Sequence, residues 1–247
     1  MAFINVTFRS HALNIDTPFS VILPENCERE DIPTLYLLHG MYGNHSSWER
    51  KTAVERYANK RRIAVVMPDG ENGFYQDMKY GKNYFTYVSE ELMDYTRRIF
   101  RLSVKRENTF ICGLSMGGYG AFNLALRRPD QYAAAASLSG CVDILARLQS
   151  CPWEREAKAI WGEDYKNTVQ GSVSDNKWLM ENFEAASPKP RLFACCGKQD
   201  ILYEDNLAFR DYMRTQPFDY TYEEGEGIHD WVFWDTWLPR ALEFLMG

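Results

Sequence analysis

Histidine is scarce in this chain: four occur in 247 residues, at positions 11, 39, 45 and 229. Any chemistry that needs an imidazole base therefore has few choices. The six cysteines (27, 112, 141, 151, 195 and 196) form no C-x-x-C pair and have no histidine at zinc-like spacing, which argues against a dithiol redox motif or a structural zinc site. Free thiols are expected, with Cys112 and the Cys195-Cys196 pair inside apolar runs where cysteine behaves as a small hydrophobe. No stretch approaches the uninterrupted apolar length of a membrane span. Positive charge is thin: the formal net charge is −6, and the densest basic clusters are Lys60-Arg61-Arg62 and Arg97-Arg98. That is the wrong balance for nucleic acid or an anionic membrane surface as partner. Arg9 interrupts the opening MAFINVTFRS before an apolar stretch of signal-peptide length develops, so a cytoplasmic location is expected. Internal repeats and low-complexity tracts are also missing.

What is present reads as one globular unit spanning 1–247, since 45% hydrophobic and 25% charged residues are ordinary proportions and the length supports one sizeable core. Short apolar or alternating runs at Ile4 to Phe8, Phe19 to Leu23, Thr34 to Leu38, Ile63 to Met67, Thr109 to Cys112, Tyr132 to Leu138, Arg191 to Cys196 and Tyr220 to Tyr222 predict about eight strands. Helices are predicted between them: Ser47 to Asn59 capped by serine, Ser89 to Leu102 with Leu92, Tyr95, Ile99 and Leu102 on one face, Met116 to Arg128, Glu204 to Arg214, and a last helix from Trp231. Such alternation means an α/β fold, a mostly parallel sheet with helices on both faces. The rhythm breaks over 141–190, after the sixth strand, where an insertion that could serve as a lid is expected over one end of the sheet.

Gly113-Leu114-Ser115-Met116-Gly117 is a G-x-S-x-G pattern. Alone it is weak, but here it joins a predicted strand to a predicted helix, the context of the nucleophile elbow in the α/β-hydrolase fold. A serine hydroxyl needs a neighbouring base. In that fold the order of roles is serine, acid, histidine, which among the four histidines only His229 satisfies. The acid should follow the carboxyl end of a strand, where loops converge on the site. Asp200 does so, whereas Asp205 and Asp211 fall in the next helix and Asp230 adjoins the histidine. Two backbone N–H groups are needed for a developing oxyanion, and those of Met41 and Met116 are the candidates. His39, closing the third strand before Gly40, reads as a residue fixing that turn. Candidates for the substrate pocket are Gly40, Trp48, Trp153, Trp161 and Trp231; no cofactor or metal is called for.

The segments LLHGMYGNHSSW, NGFYQD, GLSMGGYGA, GKQD and GIHDWVFW together resemble the esterase D family, which includes tributyrin esterases, S-formylglutathione hydrolases and feruloyl or cinnamoyl esterases. The resemblance spans nearly the whole chain and is weakest from Cys141 to Lys189. It implies a Ser115–His229–Asp200 triad, a Met41 oxyanion donor and hydrolysis of a small-molecule ester. Short-chain acyl or aryl esters come first among substrates, then hydroxycinnamoyl or acetylated-sugar esters, then S-formylglutathione. A peptidase, or a binding protein that has lost catalysis, are the rival readings; a homo-oligomer is possible on general grounds.

Overall fold

The computed structural model describes residues 1–25 and 31–247; Cys27 lies outside them. Eight strands form one sheet in the order β1-β2-β4-β3-β5-β6-β7-β8: β1 (Ala2–Ser10), β2 (Ile15–Leu23), β3 (Thr34–Leu38), β4 (Ala64–Pro68), β5 (Thr109–Leu114), β6 (Ala134–Leu138), β7 (Arg191–Gly197) and β8 (Tyr220–Gly225). Strand β2 pairs antiparallel with β1 and β4, and β4, β3, β5, β6, β7 and β8 run parallel. The central parallel strands are mainly apolar and buried, as suits strands covered on both faces. Their alternate residues feed separate cores: Tyr36 and Leu38 point to one face with Val66 and Ile111, Leu35 and Leu37 to the other with Val65 and Cys112.

Eleven α-helical segments occur among the described residues: α1 (Ser47–Lys51), α2 (Val54–Arg61), α3 (Tyr84–Thr86), α4 (Leu92–Phe100), α5 (Met116–Arg127), α6 (Ile144–Gln149), α7 (Glu154–Trp161), α8 (Tyr165–Thr168), α9 (Asn176–Glu181), α10 (Tyr203–Met213) and α11 (Trp231–Met246). No helix among them is long and apolar enough to cross a membrane. The predicted helix over 47–59 is two helices. Thr52 is extended, and the Ala53 N–H leaves the helical ladder to donate to Asp235 Oδ1 on α11 at 2.8 Å, a partner invisible to local pattern. The expected serine cap also differs: Ser46 makes no capping bond, and Asn44 Oδ1 accepts from the Ser46 N–H instead.

The helix expected from Ser89 starts earlier, at Tyr84, and passes through a π-helical turn, Tyr87–Glu91, that buries Ser89 rather than using it as a cap. Its buried face is Leu92, Met93 and Thr96, while Ile99 is 49% exposed. Thr96 belongs to that face because its hydroxyl donates to the Leu92 carbonyl at 2.8 Å and lies 3.1 Å from the Tyr36 hydroxyl, so a residue counted as polar is satisfied inside the core. His11, expected on a strand, sits in the turn after β1.

The carboxyl ends of β3, β5, β6, β7 and β8 lie along one edge. Between β3 and β5 the connections diverge, β3 leading outward to β4 and β5 to β6. This is the switch point at which open α/β sheets leave a crevice.

Candidate active site

The crevice is a cavity of about 400 Å³ lined by Gly40, Met41, Phe74, Ser115, Met116, Cys141, Trp153, His229 and Trp231, among others, a size suited to a small ligand. Ser115 stands between β5 and α5 with φ 53° and ψ −117°, a conformation that costs a non-glycine residue about 1–3 kcal/mol and persists only where surroundings enforce it. The enforcement is visible. The Ser115 N–H donates to the Leu138 carbonyl at 3.0 Å, and the Ser115 carbonyl accepts from Gly118 at 3.0 Å and Cys141 at 3.1 Å. A Cβ on Gly113 would lie 2.2 Å from the Gly117 carbonyl oxygen, and one on Gly117 would lie 2.6 Å from those of Leu38 and His39. The two glycines of the motif are therefore required by packing.

His229 Nε2 is 3.0 Å from Ser115 Oγ, and its Nδ1 is 2.9 Å from Asp200 Oδ2 and 3.0 Å from Oδ1. A carboxylate only accepts, so Nδ1 carries the ring proton and Nε2 turns its lone pair to the serine hydroxyl. The Asp200 side chain is fully buried beneath a partly exposed imidazole, and its Oδ1 also accepts from the Leu202 N–H at 2.8 Å. The His229 ring meets Trp234 edge to face at 5.0 Å. The structure thus brings together the three side chains singled out by chain order. The competing acids are engaged elsewhere: Asp205 lies 3.4 Å from Arg147, Asp211 pairs with Arg210 and Arg214, and Asp230 caps α11 through the Phe233 N–H.

Among the described residues neither the Met41 nor the Met116 N–H meets a protein acceptor, and both residues line the cavity. Met116 is at the first turn of α5, where N–H groups are unpaired and the helix dipole favours negative charge. The Met41 N–H belongs to the same peptide as the Gly40 carbonyl, which is held by His39 Nδ1 at 2.7 Å and by the Gly43 N–H at 3.1 Å. The Gly70 N–H donates to His39 Nε2 at 2.9 Å, so Nδ1 is the protonated nitrogen and donates to Gly40. A trans peptide points its N–H opposite to its carbonyl; fixing the Gly40 oxygen therefore fixes the direction of the Met41 N–H. Tyr75 secures the preceding peptide by donating to the His39 carbonyl at 2.9 Å.

Of the five pocket candidates, Gly40, Trp153 and Trp231 line the cavity. Trp48 and Trp161 do not. Trp48 is wholly buried under Trp231, 5.3 Å between ring centroids, and its indole N–H donates to the Leu38 carbonyl at 3.0 Å. Trp161 stands behind Phe74 and Trp153, with its N–H on Ser174 Oγ at 3.0 Å. Both stand behind the wall with their indole N–H groups satisfied inside the protein.

Sequence reasoning missed Phe74, which lines the cavity, and Gln199. The Gln199 side-chain oxygen accepts from the Gly227 N–H at 2.8 Å while its own N–H donates to the Gly227 carbonyl at 3.0 Å. This ties the loop of Asp200 to the loop of His229. Its place beside Asp200 in GKQD was the available signal. Phe74 and Tyr75 have positive φ, 49° and 54°, backbone strain that no composition rule announces.

A parallel-stranded sheet with a Ser–His–Asp hydrogen-bonded chain at its carboxyl edge defines an α/β-hydrolase of the serine hydrolase class. The model of the Esterase family matches residues 10–245, and the chain belongs to that family. It is 32% identical over 262 aligned positions to an acetyl esterase of Caldicellulosiruptor saccharolyticus, covering 99% of this chain and 98% of the relative. Among solved structures it is similar to fluorophosphonate-binding serine hydrolase F of Staphylococcus aureus, substrate bound, with TM-score 0.92, 35% identity and coverage of 100% and 98%. An S-formylglutathione hydrolase of the same organism gives TM-score 0.90, 36% identity and coverage of 100% and 99%. The chain is a carboxylic ester hydrolase with the esterase D character that its motifs suggest.

Proposed function

We propose that the chain hydrolyses esters of short acyl groups through an acyl-enzyme on Ser115, with His229 as general base and acid and Asp200 as its orienting partner. The observation that carries this reading is the unbroken hydrogen-bonded series from Asp200 through His229 to Ser115 Oγ, at 2.9 and 3.0 Å, facing a cavity lined also by Met41 and Met116, whose N–H groups meet no protein acceptor among the described residues. Attack by Oγ on the carbonyl carbon passes its proton to His229 Nε2, and the Met41 and Met116 N–H groups receive the oxyanion. The alcohol leaves with the proton from Nε2, and water repeats the sequence on the acyl-enzyme.

The acyl group faces Phe74 and Trp153, rings 4.6 Å apart and backed by Trp161. This closed aromatic wall favours acetyl and similarly short chains, in keeping with the acetyl esterase among the relatives. The test is labelling by a fluorophosphonate probe together with p-nitrophenyl acetate turnover. Wild type reacts with both; Ser115→Ala loses the label and lowers kcat by at least about 10³-fold, leaving only what the oxyanion site and binding supply. Retained labelling or turnover in Ser115→Ala would remove the proposal.

A further inference from the structure

Two cations border the cavity, and they differ in how they are compensated. Arg147, on the insertion side, lies 3.4 Å from the Asp205 carboxylate. Lys51, at the end of α1, also lines the cavity, is exposed and forms no ion pair among the described residues. Its Nζ lies 4.9 Å from the centroid of the Trp231 ring. Such a contact orients an ammonium without neutralising it. In a chain of net charge −6, an uncompensated ammonium on a cavity wall is the feature that offers an anion a partner there.

The side of the cavity on which Lys51 stands is set by the reaction. His229 Nε2 must return its proton to the departing atom, so the leaving group occupies the imidazole's side of the scissile bond. From the imidazole outward the contacts run to Trp234 at 5.0 Å, from Trp234 to Trp231 at 5.1 Å, and from Trp231 to the Lys51 ammonium at 4.9 Å. In the proposed mechanism the acyl group faces the other lining rings, Phe74 and Trp153.

We infer that Lys51 is a specificity-determining residue: its ammonium binds an anionic group, a carboxylate foremost, on the alcohol or thiol half of the substrate, with the Trp231 ring as the apolar platform between anion and scissile bond. A lysine is a point charge on a flexible stem, so it tolerates anions at a range of distances from the ester. The inference rests on the proposed esterase mechanism of the same site.

Acetate release from para-acetoxybenzoate and from its methyl ester tests it, because the two share acyl group and ring and the para substituent is a carboxylate in one and its neutral methyl ester in the other. The reading is the ratio of kcat/KM, anionic over neutral, in wild type, Lys51→Gln and Lys51→Glu. The expected ratio falls about threefold in Lys51→Gln and about tenfold in Lys51→Glu at low ionic strength, and the differences shrink in added salt as rim charges are screened. Lys51 is exposed, so neither change threatens the fold. The same ratio in all three proteins overturns the role of Lys51 and leaves the esterase mechanism standing. Failure of wild type to hydrolyse either ester overturns the mechanism, and the inference with it.

Discussion

At the scale of single residues, the site depends on which ring nitrogen of each histidine carries the proton. Both carry it on Nδ1: the Asp200 carboxylate sets this in His229, and the Gly70 N–H, donating to Nε2, sets it in His39. His39 is far from being a spare base: it holds the carbonyl of the peptide whose N–H belongs to Met41. Replacing it with alanine leaves that peptide held by the Gly43 N–H alone. His39→Ala is expected to lower kcat for p-nitrophenyl acetate by about tenfold to a hundredfold, less than outright loss of an oxyanion donor, with KM within about threefold. A raised KM at unchanged kcat would show that His39 serves binding instead. His39 could be read as a turn-fixing residue from its place before Gly40; its tautomer could not, since Gly70 is remote in sequence.

At the scale of elements, the segment between β6 and β7 supplies Trp153 to the cavity wall and is joined to the body by a buried polar cluster. Ser174 Oγ donates to Gln76 Oε1 at 3.0 Å, Asn123 Nδ2 donates to the Val173 carbonyl at 2.8 Å, and the Tyr119 hydroxyl donates to the Ser174 carbonyl at 2.7 Å. Every one of these bonds crosses from the segment to α5 or to the turn after Phe74. Trp153 is therefore presented on a fixed support. Trp153→Ala should open the acyl side, raising the ratio of kcat/KM for p-nitrophenyl octanoate over acetate by about tenfold or more, since each accommodated methylene is worth about 1 kcal/mol or more. A chain-length profile that does not change would place the acyl group elsewhere. The sequence marked this segment by its broken periodicity and its tryptophans. It did not tell Trp153, on the cavity, from Trp161 behind it, because the contacts that hold Trp161 there, with the Phe74 ring and Ser174 Oγ, exist only in the folded chain.

At the scale of the whole molecule, the sheet separates two cores, and four of the five described free cysteines are sealed in the interior. Burial pushes the thiols of Cys112, Cys141, Cys195 and Cys196 up from their ordinary range, so at pH 8 they remain protonated and lack the thiolate that reacts. Treatment of the native protein with Ellman's reagent at pH 8 should leave these four unlabelled until denaturant is added, with sites read by mass spectrometry. Rapid labelling of any one of them would show an opening of the core absent from this fold. Cys141 makes the sharper case, because it borders the cavity yet is almost wholly buried.

The linear order of residues determined the alternation of strands and helices, the strand-to-helix turn at Ser115, and the choice of Asp200 and His229. These rest on local periodicity and on chain order, both properties of near neighbours or of topology. The three-dimensional packing alone decided that Trp48 and Trp161 stand behind the wall, that the helix after Ser47 breaks at Thr52, and that Lys51 sits beside Trp231 with no ion pair among the described residues. Each of these depends on a partner outside its own element, the Leu38 carbonyl, Ser174, Asp235 or Trp231. Which way a side chain turns is set by the groups that satisfy it, and those are assembled only when the sheet closes its two cores.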